Sequence, residues 1–181
     1  MDIIKEIGKN KSVLVVMPGE DYNDVVTSVA KKLSKKRVCY VTLNKTVNAL
    51  KESFKKKRIN TDNFLFIDAI SKTIKEEPDQ MEGCYFVSSP GSLTELSILI
   101  SRVIRHNFDY IIFDSLTNML IYEKKAPVIK FISSIINKIR ESNTKSVLYS
   151  LDVDQHSEVI QQTTMFVDKV IDLNKKRVKK N

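Results

Sequence analysis

Asp114 and Ser115 are the residues of this chain best placed to do chemistry. They follow residues 110–113, four large apolar residues in an unbroken run. Such a run is typical of a strand that is buried on both faces of a sheet. An acid at the carboxyl end of a buried parallel strand lies where open α/β sheets bind ligands. Asp is also a common turn former and helix cap, and on these residues alone this structural alternative stays open.

Other reactive side chains lack partners at a suitable spacing. His106 and His156 are the only histidines, and neither has a Cys, His or acid at ligand spacing, so we expect no metal site and no general base. Cys39 and Cys84 lie far apart in apolar, strand-like runs. We expect buried thiols in a reducing cytoplasm rather than a disulfide or a metal site.

The net charge of +8 is concentrated in three basic clusters. The first two follow predicted helices, where cations complement the helix dipole, and the third forms the end of the chain. We interpret the first two as solvated faces and the third as a frayed tail, with nucleic-acid binding as an alternative. No aromatic residues are interleaved with the charges, so no base-stacking surface is indicated. The clusters lie within residues 31–37, 51–58 and 175–180.

Strand-like and helical patterns alternate along the whole chain. Apolar runs predict strands at residues 12–17, 38–43, 64–68, 84–87, 110–114, 146–151 and 165–173, the last with a break at Asp168. The pattern predicts an α/β protein of three layers, with a mostly parallel sheet covered by helices on both faces. We expect one domain over residues 1–174 and a basic tail over residues 175–181. No membrane span or signal peptide is indicated, so we expect a cytoplasmic protein.

Local signals mark the ends of several predicted helices. Asp21 or Asn23 is expected to cap the helix that follows the first strand. Ser92 and Glu95 form a capping-box pattern, and an anion site at this helix start is the alternative. A loop that contains residues 122–125 is expected after Ser115.

This order of elements resembles the RecA-like P-loop ATPase fold, and within it the archaeal and bacterial KaiC-like branch. The resemblance covers residues 10–174. Residues 38–43 resemble the strand after the phosphate-loop helix, residues 109–115 the Walker B strand, and residues 166–173 the closing strand. In an active relative, an acid at Asp114 would help to hold Mg²⁺.

The segment that matches the phosphate loop departs from the family pattern. A P-loop needs G-x-x-x-x-G-K-[ST], but this chain has Pro18, Gly19, Glu20, Asp21, Tyr22 and Asn23. The second glycine position holds Asp21, the lysine position Tyr22 and the hydroxyl position Asn23. At an effective dielectric of about 20, the acids beside a triphosphate cost several kcal/mol. That exceeds the roughly 0.3–2 kcal/mol that a helix N-terminus supplies.

The position of the catalytic base also departs from the family pattern. The KaiC-like family carries acidic residues just after its second strand, whereas this chain has Asn44 and Lys45 there. Asn cannot accept a proton at neutral pH, and Lys is protonated unless it is strongly desolvated. Asp114 is then expected to be retained for structure, as a cap of the loop that it begins.

The resemblance and these departures imply a non-catalytic RecA/KaiC-like domain of archaeal type, which acts as a regulatory or protein-interaction module. Its partner would be a second copy of the chain or an active homologous ATPase, and no cofactor is expected. Two alternatives stay open. One is binding of Mg·ATP at an altered phosphate site, with weak or no hydrolysis. The other is non-specific nucleic-acid binding through the basic faces.

Overall fold

The computed structural model describes residues 3–152 and 158–174, so His156 and the basic tail lie outside the described residues. The strands are β1 (Ser12–Met17), β2 (Val38–Thr42), β3 (Phe64–Asp68), β4 (Cys84–Phe86), β5 (Tyr110–Asp114), β6 (Lys145–Leu151) and β7 (Lys169–Asp172). They form one sheet in the order β4-β3-β2-β5-β6-β1-β7, and all neighbouring pairs are parallel.

Helices connect the strands and lie on both faces of the sheet. They are α1 (Ile3–Lys9), α2 (Gly19–Leu33), α3 (Val47–Lys56), α4 (Ser71–Ile74), α5 (Leu93–Arg105), α6 (Leu116–Tyr122), α7 (Lys125–Arg140) and α8 (Glu158–Phe166). Within residues 3–152 and 158–174, no helix combines the length and the hydrophobicity that a membrane crossing needs.

Two apolar cores lie on the two sides of the sheet, because successive strand residues point to opposite faces. In β1, Val13, Val15 and Met17 pack with α1, α2 and α3. Leu14 and Val16 pack in the second core with residues of α5, α6, α7 and α8. These layers confirm the predicted fold class. Full burial of each large apolar side chain contributes roughly 1.5–3 kcal/mol.

The expected loop after Ser115 is wrong in its first part, where the chain forms helix α6. Leu116 and Met119 are spaced by three residues and are both buried in the second core, so this short segment is held by packing. Its end rests on Gly91, where an added Cβ would lie 2.9 Å from the carbonyl oxygen of Tyr122. Gly91 therefore allows α6 to close against the turn before α5.

The expected capping box at α5 is also wrong, although the helix begins where predicted. Ser92 is the N-cap residue, but its side chain makes no capping hydrogen bond. Glu95 instead accepts hydrogen bonds from the backbone N–H of Ser88, at 3.1 Å, and from its hydroxyl, at 2.5 Å. The acid fixes the preceding turn rather than the first turn of the helix.

Candidate functional site

Asp114 ends β5 and is completely buried. Along β5, Tyr110 and Ile112 belong to the core beneath α2, so the alternation of side chains turns Asp114 toward the same face. Tyr40 of β2 and Tyr149 of β6 belong to that core too, and β2 and β6 flank β5 in the sheet. The sheet thus brings two buried tyrosines and a buried acid to one face.

Hydroxyl and amide groups surround the Asp114 carboxylate. Tyr22 Oη donates to Asp114 Oδ2 at 2.6 Å, and Tyr40 Oη donates to the same oxygen at 2.5 Å. Asn44 Nδ2 donates to Asp114 Oδ1 at 3.3 Å and to Tyr22 Oη at 2.8 Å. Both carboxylate oxygens are therefore engaged by protein donors.

Burial and hydrogen bonding act in opposite directions on the acid. Burial raises the pKa of Asp114, and the hydrogen bonds from Tyr22 and Tyr40 offset part of this rise by favouring the charged form. Burial, and then the neighbouring Asp114 charge, raise the pKa of Tyr22 and of Tyr40. Both hydroxyls consequently keep their protons at neutral pH and act as donors.

Tyr149 lies in the same core but donates to nothing among the described residues. Its hydroxyl is buried and has no hydrogen-bond partner there. Burial raises its pKa well above the ordinary value, with a further contribution from Asp114. Asn44 Oδ1 is a second buried polar atom in the described part of the chain without a partner. Both oxygens of the Asp114 carboxylate thus have hydrogen-bond donors, whereas the Tyr149 hydroxyl and Asn44 Oδ1 have no partner among the described residues.

Lys45 packs against the Tyr22 ring of this cluster. Its Nζ lies 4.9 Å from the centroid of the Tyr22 ring and donates to Asn23 Oδ1 at 3.1 Å. A cation over an aromatic face is attracted by the ring quadrupole. The Lys45 charge also lowers the pKa of Asp114, to a smaller extent than the tyrosine hydrogen bonds. Asn44 and Lys45, predicted at the base position, therefore both contact Tyr22.

The segment predicted to match a phosphate loop is mostly helical. β1 ends at Met17 and α2 begins at Gly19, so Pro18 is the single residue between them. Glu20, Asp21, Tyr22 and Asn23 lie in α2, and the helix has Pro18 as its N-cap. The expected cap at Asp21 or Asn23 is wrong. Glu20 and Asp21 lie in the first turn, where the positive end of the helix dipole stabilises acidic side chains.

Ser115 is fully buried beside Asp114, and the peptide bond between the two residues is cis. Its Oγ lies 3.4 Å from Asn118 Oδ1 within α6. Ser115 is the N-cap residue of α6, and no side chain caps that helix. The expected capping role of Asp114 is thus wrong, because its carboxylate is directed to the tyrosines and not to the backbone of α6.

Asp68 performs the capping role that the sequence pattern suggested for Asp114. It also ends a buried apolar strand, β3, and is fully buried. Its carboxylate accepts from the backbone N–H groups of Val47 at 2.7 Å, Ile70 at 2.7 Å and Ser71 at 2.8 Å, and from the Ser71 hydroxyl at 2.6 Å. The two buried acids therefore have different partners, namely three backbone N–H groups and one hydroxyl for Asp68, and side chains alone for Asp114.

The described residues contain no group of three or more His, Cys, Asp or Glu side chains that could hold a metal ion. His106 is the exposed C-cap residue of α5. Both carboxylate oxygens of Asp114 accept from protein donors, and a single residue connects β1 to α2.

The seven parallel strands, with helices on both faces, form a three-layer α/β fold. A KaiC-like protein from the hyperthermophilic archaeon Pyrococcus horikoshii OT3 has the same fold, with a TM-score of 0.63 and 14% identity over 90% of this chain and 71% of that chain. The chain belongs to a family of unknown function, DUF7504, which matches residues 10–173. No curated protein matches the chain at a significant level. The predicted RecA/KaiC-like fold is therefore confirmed.

The cluster predicts that the Tyr22 and Tyr40 hydroxyls stabilise the fold. Tyr22→Phe and Tyr40→Phe each remove a donor to a buried carboxylate, and we expect the free energy of unfolding to fall by about 1–3 kcal/mol in each variant. Urea denaturation at neutral pH measures the change. Tyr149→Phe is the matched control, since it deletes a buried hydroxyl without a partner in the described residues and should be neutral or stabilising. Equal losses in Tyr22→Phe and Tyr149→Phe would contradict the assignment.

Proposed function

We propose that this chain is a non-catalytic RecA/KaiC-like domain that acts through its surfaces as a regulatory or protein-interaction module. The observation that carries the proposal is the hydrogen bond of 2.6 Å from Tyr22 to Asp114. Tyr22 occupies the position of the Walker lysine in the resemblance, and Asp114 the position of the Walker B acid. A lysine at this position would bind phosphate, whereas Tyr22 donates a hydrogen bond to the Asp114 carboxylate.

Three further features support a site without ATPase chemistry. Asn44 cannot act as a base, and it donates to both Tyr22 and Asp114. Lys45 lies over the Tyr22 ring on the solvent side. Pro18 leaves no loop in which backbone N–H groups could surround a triphosphate, since α2 begins at the next residue. To admit Mg·ATP, the chain would have to break the Tyr22 contact and unwind the start of α2.

An ATP titration tests the absence of nucleotide binding. We expect no rise in the melting temperature of the protein at millimolar Mg·ATP, because only a ligand that binds the native state stabilises it. Phosphate release should equal that of buffer. A rise that Asp114→Asn abolishes would show binding at this site and would contradict the proposal. A rise that persists in Asp114→Asn would place nucleotide elsewhere on the protein and would favour the alternative of altered binding.

The carboxyl edge of the sheet, where the strands end, also carries exposed apolar side chains. Ile121 is 75% exposed at the end of α6, and its neighbour Tyr122 is 45% exposed. Exposed large apolar residues that lie together are typical of protein contacts. Most soluble oligomers are homo-oligomers, so the partner that we assign to this edge is a second copy of the chain.

Light scattering at increasing protein concentration tests this assembly. We expect a mass above that of one chain, and a return to the mass of one chain in Ile121→Ser, which removes apolar contact area. Ile98→Ser is the matched control, because Ile98 is 51% exposed in the middle of α5 and away from this edge. A monomeric wild-type protein, or equal effects of the two substitutions, would contradict the assignment.

A further inference from the structure

The opposite, amino edge of the sheet is continuous and strongly basic. Backbone hydrogen bonds join residues at the amino ends of successive strands: Val38 N–H to Asn63 O at 3.1 Å, Asp109 N–H to Arg37 O at 2.9 Å, and Lys145 N–H to Asp109 O at 2.9 Å. The connection continues to β1 through Ser146 N–H and Lys11 O at 2.8 Å. The amino-edge face is defined here as residues 9–11, 34–37, 55–63, 105–109 and 140–145.

Positive charge on the amino-edge face is far in excess of negative charge. Lys and Arg outnumber Asp and Glu by twelve to three in these segments. Asp109, one of the three acids, is engaged by the backbone N–H of Arg37 at 2.9 Å. Lys35, Lys36, Lys55 and Lys57 are exposed and form no ion pair with any described residue. Much of the charge is thus available to a ligand.

Helix dipoles account for only part of this arrangement. Cations in the last turn of a helix are stabilised by its carbonyl end, but the effect falls off beyond that turn. Lys35 and Lys36 follow the end of α2 at Leu33, and Arg58 follows the end of α3 at Lys56. These cations lie on the connections that lead into the neighbouring strands β2 and β3, beyond the last helical turn in which the dipole stabilises a cation most.

We infer that the amino-edge face binds the phosphate backbone of double-stranded nucleic acid. Five adjacent strands, from β3 to β1, contribute to the face, which gives it a width of about 20 Å at a strand spacing of about 4.8 Å. A duplex offers one negative charge for about every 1.7 Å of its axis, so it presents a dense row of phosphates over that width. The inference is independent of the function proposed for the opposite edge.

Two observations favour a duplex over other polyanions. The ring of Phe108 is covered by the guanidinium of Arg37, 4.6 Å from the ring centroid, so it offers no platform on which single-stranded bases could stack. The most exposed large apolar residues of the described chain, Ile121, Ile74 and Met165, all lie outside these segments. A face without such apolar anchors lacks the groups that insert into a bilayer, which favours a soluble phosphate backbone.

Fluorescence anisotropy of a labelled 20-base-pair duplex, measured with the full chain at several salt concentrations, tests the inference. The variant Lys35→Gln/Lys36→Gln/Lys55→Gln/Lys57→Gln should weaken binding about tenfold or more and reduce the salt slope by about 0.9 for each lost phosphate contact. The control Lys72→Gln/Lys124→Gln/Lys125→Gln/Lys130→Gln removes the same charge elsewhere on the surface. The control should change the affinity for the duplex by less than about threefold, since charge far from the contact surface attracts the duplex only weakly. Unchanged melting temperatures show that both variants fold.

Each other outcome overturns the inference. Equal weakening in the two variants would mean that net charge alone attracts the duplex. Binding that is lost when residues 175–181 are deleted, but kept in the amino-edge variant, would assign the contact to the tail. Tighter binding of a single strand of the same length, or of phosphatidylserine vesicles while the duplex stays unbound, would assign the face to a different ligand.

Discussion

The hydrogen bonds from Tyr22 and Tyr40 to Asp114 are the interaction on which the candidate site depends. A fully buried carboxylate without partners would cost several kcal/mol, which is a large share of the stability of an ordinary domain. Two hydroxyls and an amide supply these partners from three separate elements, namely α2, β2 and the turn after β2. The acid that ends the central strand thus joins the helix above the sheet to the sheet itself.

The short connection between β1 and α2 makes this arrangement geometrically feasible. Because Pro18 alone separates strand from helix, Tyr22 lies about one turn into α2 and its hydroxyl reaches the carboxyl end of β5. A longer, glycine-rich connection would hold the helix start further from the sheet and would leave space for an anion. The same few residues therefore determine both the single-residue connection from β1 to α2 and the contact of α2 with Asp114.

The sequence predicted the parts of this structure that depend on local pattern. Unbroken apolar runs located β1 to β6, including the run before Asp114, and their alternation with helices located the layers. The run at residues 165–173 forms a strand only over Lys169–Asp172, because Met165 and Phe166 belong to α8. The resemblance assigned Tyr22 and Asp114 to the phosphate-loop and Walker B positions, but the hydrogen bond between them could not be predicted from local pattern. The two residues are 92 positions apart, and α2 crosses β5 because the strand order places β5 between β1 and β2, the strands that α2 connects. The pattern also could not distinguish Asp68 from Asp114, because both acids end apolar strands and differ only in the partners that the fold brings to them.

A crystal structure determined from crystals grown with millimolar Mg·ATP would show whether Tyr22 keeps its hydrogen bond to Asp114 when nucleotide is present. We expect that Tyr22 Oη stays within hydrogen-bond distance of Asp114 Oδ2, that α2 still begins at Gly19, and that no phosphate lies at the start of that helix. A phosphate bound by the first turn of α2, with the Tyr22 ring rotated away from Asp114, would contradict it. Such a result would make this domain a nucleotide-binding protein with an altered phosphate site.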